Sequence, residues 1–132
     1  MQTTNLVPVV INACFGGFGL SEMALNEYNK LSGKSIKYSH DLDRTDPHLA
    51  SVVKKYKNKS FGSCAALEIH MIPDYMIDYY DISEYDGCET LHLFYDKYKI
   101  NRIKQIIGDD LLTGIEKLTQ INNIVEYVVP DS

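Results

Sequence analysis

The sequence predicts an α+β fold: one compact domain with a mixed or antiparallel sheet, a β-hairpin and about four packing helices. Three observations carry that prediction. Apolar residues recur at helical spacing in several separate stretches. Short apolar or alternating runs lie between them, and Asp86-Gly87 between two such runs is a hairpin turn signal. Strands and helices do not alternate regularly, as a doubly wound parallel sheet would require. The chain has 132 residues, 45% of them apolar. A domain of that size buries roughly 65–70% of its unfolded surface.

Residues 1–6 are polar and read as a loose N-terminus, and Val7–Asn12 reads as a buried strand with Pro8 near its start. A glycine-rich turn, Cys14-Phe15-Gly16-Gly17-Phe18-Gly19, follows. Ser21 then caps a helix whose apolar stripe is Leu20, Ala24, Tyr28 and Leu31, and Gly33 stops it. Ile36–Ser39 reads as a short strand. Asp46 caps a second helix with Pro47 in its first turn, and Leu49, Val52, Val53 and Tyr56 form its apolar stripe.

Ala66–Ile72 reads as a strand ended by Pro73, with Leu67, Ile69 and Met71 on one face and Glu68, His70 and Ile72 on the other. Met76–Tyr85 and Cys88–Tyr95 read as the two arms of the hairpin. Ile100, Ile103, Ile106 and Ile107 line a helix ending at Gly108. Thr113-Gly114-Ile115-Glu116 is a capping box that opens another helix through Leu118 and Ile121. Ile124–Val129 fits a late strand or the end of that helix.

Net charge is −5, which argues against non-specific binding to nucleic acid or an anionic membrane. No secretory leader is visible, and no apolar run approaches the ~20 residues that span a bilayer, so a soluble protein is expected. Cys14, Cys64 and Cys88 are widely spaced without a CxxC pair, which points to reduced thiols in a cytosol-like compartment. From Ser60 to Asp96 there are eight acids and no Lys or Arg. Five tyrosines of that stretch make it a candidate surface for a basic protein partner. Homo-oligomer formation is also compatible with it.

The glycine turn sits between a strand and a helix start, where backbone N–H groups and the positive end of a dipole can hold an anion. It matches neither a Walker loop nor a GxGxxG site. Tight strand–helix packing is the competing reading. His40–His48 holds two histidines and three carboxylates around Arg44, but its spacing matches neither the EF-hand loop nor HExxH, and Arg44 suits pairing with a carboxylate or contact with an anion. His70 and His92, with Glu68, would make a metal site only if they met across a sheet. Neither a metal nor a cofactor is expected.

Asn12-x-Cys14-Phe15-Gly16-Gly17-Phe18-Gly19-Leu20-Ser21, Arg44-x-Asp46-Pro47-x-Leu49, Leu67-x-Ile69-x-x-Ile72-Pro73 and Ile82-x-Glu84-Tyr85-Asp86-Gly87-x-Glu89 occur in that order. Together they resemble a family of small uncharacterised proteins of tailed phages and giant DNA viruses, with residues 93–132 as a mainly helical extension. Abundant Lys, Asn, Ile and Tyr suit an AT-rich giant-virus genome. The resemblance implies a viral accessory protein in the host cytoplasm or packaged in the virion.

It also groups Asn12, Cys14, Gly16, Gly17, Gly19, Ser21, Arg44, Asp46, Glu84, Tyr85, Asp86 and Glu89 as candidate ligand-binding residues. If they converge, they suit a nucleotide-like anion. The leading expectation is therefore non-catalytic binding of such a ligand or of a host protein. Alternatives are an enzyme on a phosphate- or acyl-bearing substrate with Cys14 as nucleophile or a carboxylate as acid/base, and a homo-oligomeric structural or virion protein.

Overall fold

A computed structural model describes residues 5–126. The chain is α+β, with four α-helices and two separate two-stranded sheets among the described residues. Its contacts divide it into two units, residues 1–92 and 93–132.

In the first unit, β1 (Leu6–Asn12) pairs antiparallel with β2 (Leu67–Pro73), Val10 opposite Ile69 and Asn12 opposite Leu67. Val9 and Val10 are both fully buried although they point to opposite faces, so the sheet is covered on both sides. That is why β1 reads as a continuous apolar run. One face packs on α1 (Glu22–Ser32) and α2 (Pro47–Tyr56), through Val10, Leu67, Ala24, Tyr28, Leu49, Val52 and Val53. The opposite parity of the same strands contributes Val9, Ile11 and Ile72, all buried.

Caps fall where the residue types place them. The Ser21 hydroxyl accepts from Ala24 N–H at 3.2 Å, and Gly33 ends α1 at φ 72°. The Asp46 carboxylate accepts from His48 N–H at 2.8 Å at the start of α2. The second sheet is a hairpin of β3 (Tyr80–Tyr85) and β4 (Cys88–Leu93), turned by Asp86 at φ 50° and Gly87 at φ 84°.

Four expectations need correction. Residues 36–38 form no strand, because Asn29 bonds both the N–H and the C=O of Ile36 at 2.9 Å and takes the place of a neighbouring strand. Ser39–Asp41 is a short 3₁₀ turn instead. Asp74–Met76 is also a 3₁₀ turn with Met76 wholly buried, so the first hairpin arm begins only at Tyr80. The returning arm ends at Leu93, and Tyr95 already belongs to α3 (Tyr95–Ile107). Leu6 lies in β1 rather than in a loose terminus.

In the second unit α3 is followed by α4 (Gly114–Glu126). The capping box forms: Thr113 Oγ1 accepts from Glu116 N–H at 3.1 Å, and Glu116 Oε1 accepts from Thr113 N–H at 3.2 Å. The apolar stretch from Ile124 continues α4 to Glu126; its remainder lies outside the described residues. Among the described residues no helix is long and apolar enough to cross a membrane.

Candidate functional site

The motif-bearing loops of the first unit meet at the end of β1. Asn12, fully buried, is the hub. Its amide donates to Cys14 C=O and Gly87 C=O, both at 2.7 Å, and its side-chain oxygen accepts from Ala66 N–H at 2.8 Å. One side chain thus ties the glycine turn, the entry to β2 and the hairpin tip together. Asparagine suits the position because a single planar amide both donates and accepts.

Arg44 and Glu89 form the second tie. Arg44 Nη1 and Nη2 donate to the two Glu89 oxygens at 2.7 and 2.8 Å, a bidentate pair. Glu89 Oε1 also accepts from Asn12 N–H at 2.8 Å, and Arg44 Nη1 reaches Val10 C=O at 3.2 Å. The guanidinium lies 3.5 Å from the centroid of the Phe18 ring. Arg44 is 19% exposed and Glu89 9%, so water screens the pair only weakly.

The glycines are spent on contact. Gly16 N–H donates to Asp86 C=O at 2.9 Å. A Cβ on Gly87 would lie 2.1 Å from Gly17 N, and one on Gly16 would lie 2.5 Å from Cys64 Cβ. Two turns with φ above zero therefore pack backbone on backbone. Across this seam Phe15 and Tyr85 meet edge to face at 6.4 Å, although they are 67% and 75% exposed.

Beside the seam is a cleft of about 210 Å³ lined by Gly17, Phe18, His40, Arg44, Glu84, Gly87 and Glu89. A mostly apolar groove of about 410 Å³ lies elsewhere in this unit, between Pro8, Ile69 and Met71 of the sheet and Pro47, Ala50, Ser51 and Lys54 of α2.

Asn12, Cys14, Gly16, Gly17, Arg44, Glu84, Tyr85, Asp86 and Glu89 are accordingly brought together. Gly19 and Ser21 serve the start of α1: Gly19 C=O accepts from Gly62 N–H at 2.7 Å, and the Ser21 hydroxyl donates to Lys59 C=O at 2.8 Å. Asp46 lies in another cluster, where its carboxylate accepts from Tyr28 OH at 2.6 Å and faces Lys34 Nζ at 3.6 Å and His48 Nδ1 at 3.1 Å. Burial alone would raise the Asp46 pKa, but the bonds from Tyr28 and His48 and the Lys34 charge outweigh it and hold the pKa below its ordinary value. Burial raises the Tyr28 pKa, and the Asp46 carboxylate adds to that.

The Cys14 thiol faces Cys64 C=O at 3.2 Å and the Asn12 side-chain oxygen at 3.6 Å, two acceptors rather than a base that would activate it. His70 pairs with Glu68 at 3.0 Å on β2, while His92 on β4 pairs with Ser83 at 2.7 Å, so the two histidines do not form a common site. No group of three or more metal-ligating side chains is found among the described residues.

Sequence reasoning left out Phe15, Phe18 and Gly87 as site residues. Their signal was present: both aromatics interrupt the glycine turn, and Gly87 is half of the hairpin turn. Comparison of the chain with protein-family models, curated proteins and solved structures returns no match.

Proposed function

We propose that this chain is a non-catalytic binding protein that docks a basic segment of a host protein on the Phe15–Tyr85 edge. The observation that carries this reading is the exposed aromatic pair held on two mutually locked loops. An exposed aromatic pair on a rigid support adds contact area at little ordering cost, and its ring faces attract Lys and Arg. Asp81, Glu84 and Asp86, all exposed, lie on the same hairpin and supply the complementary charge. The resemblance to a viral family supports a partner from the infected cell.

A nucleotide-like anion is a second reading, favoured by the cleft beside Arg44. It ranks lower because both terminal nitrogens of Arg44 already engage Glu89, and Gly16 N–H engages Asp86. An anion would have to displace a carboxylate. The test is fluorescence anisotropy with a labelled Lys/Arg-rich peptide and with a labelled adenine nucleotide. Saturable peptide binding, weakened at least tenfold by Tyr85→Ala and by added salt, is expected. Nucleotide binding that is unaffected by Tyr85→Ala, with no peptide binding, would transfer the function to the cleft.

A further inference from the structure

The second unit carries a feature that the reading above does not use. On α4, Ile115, Leu118, Asn122 and Val125 are spaced 3, 4 and 3 apart, the a and d positions of a heptad. All four are exposed: Ile115 is 79% accessible, Leu118 64% and Val125 61%. Leu111, 94% exposed, falls one d position earlier, just ahead of the helix. Ile121 and Ile124 make a second stripe, roughly 100° around the helix, and are half-buried. Two apolar stripes of this kind belong to a helix with a neighbour on either side. α3 is one neighbour.

We propose that the second is α4 of another copy of this chain, paired in parallel and in register as a short coiled coil. Ile115 at a followed by Leu118 at d is the combination that favours two strands. Asn122 at the other a position points to self-pairing. In register, its amide lies opposite an identical amide, so the NH₂ of one can donate to the carbonyl oxygen of the other. Against lipid or a plain apolar groove the same amide would lose its hydrogen bonds. The charges of α4 point the same way. Glu116 and Glu126 outnumber Lys117, whereas a helix lying on a membrane carries a Lys/Arg-rich face. The e and g positions, Gly114, Thr119, Ile121 and Glu126, bring no like charges together across a parallel seam.

With only 13 residues in α4 the seam is short, so weak, concentration-dependent pairing is expected. Sedimentation equilibrium of the full chain from about 5 to 500 µM is the test. The wild type should show a monomer–dimer equilibrium. Leu118→Lys and Val125→Lys, each retaining its helical circular dichroism, should weaken it at least tenfold. Asn122→Leu should tighten association or raise its order, because the polar register device is gone. A wild type that stays monomeric at the highest concentration would overturn the proposal. So would a dimer untouched by both lysine variants, or capture on anionic lipid vesicles by a monomer. None of these variants touches Tyr85, so failure here leaves the docking reading standing, and the reverse also holds.

Discussion

Replacing Glu89 with Ala should cost the protein about 3 kcal/mol of stability. The substitution removes both charge-assisted bonds to Arg44, at 2.7 and 2.8 Å, and leaves Asn12 N–H without its 2.8 Å acceptor. Orphaning one partner of a fully buried pair costs about 3–5 kcal/mol, whereas an exposed pair contributes 0–1. Arg44 keeps 19% exposure and its Phe18 ring, which recovers part of its lost solvation. The unpaired N–H adds about 1–3 kcal/mol. About 3 kcal/mol therefore lies in the lower half of the combined range of about 1–8 kcal/mol, equivalent to a fall in Tm of roughly 10 °C for a chain of this length. Urea unfolding followed by tyrosine fluorescence suits a protein with ten Tyr and no Trp. The double variant Arg44→Met/Glu89→Ala should be less damaged than the sum of its singles, with a coupling of at least about 1.5 kcal/mol. A loss below about 1 kcal/mol, or zero coupling, would refute the claim that this pair locks the two loops.

Two further predictions concern the turns and the buried acid. Gly87→Ala should destabilise by more than about 3 kcal/mol, because its Cβ would sit 2.1 Å from Gly17 N, while Gly33→Ala, with φ 72° and nothing within 4 Å, should cost only about 1 kcal/mol; equal losses in urea would contradict the backbone-on-backbone seam. Because the folded-state pKa of Asp46 lies below its ordinary 3.8, its stabilising contribution is present above that value and is lost as pH falls toward the folded value. Thermal unfolding between about pH 2 and 7 should show a shallower acid limb for Asp46→Asn than for wild type; parallel curves would remove Asp46 from the acid response.

Much of the local structure was legible because its causes are local. Ser21 and Gly33 bracket α1, Asp46-Pro47 opens α2, and Asp86-Gly87 turns the hairpin, each through bonds or dihedrals spanning a few residues. One error arose where a side chain replaced a backbone partner. Asn29 satisfies Ile36 and removes the need for a strand, a competition the apolar pattern does not record.

The site divides along the same line. Residue types identified Arg44 as a cation in search of a carboxylate and the glycine turn as a place where backbone approaches something closely. The sequence by itself determined the helices, the paired strands β1 and β2, the hairpin turn, and the residues able to form the cluster. Tertiary structure alone decided that the carboxylate is Glu89, 45 residues away, and that the backbone of the glycine turn closely approaches Gly87. It also decided that Asn12 bonds Gly87, 75 residues away. Helix caps and turns are selected by neighbours along the chain, whereas these pairings are selected only when the sheet and hairpin bring distant loops within hydrogen-bond reach.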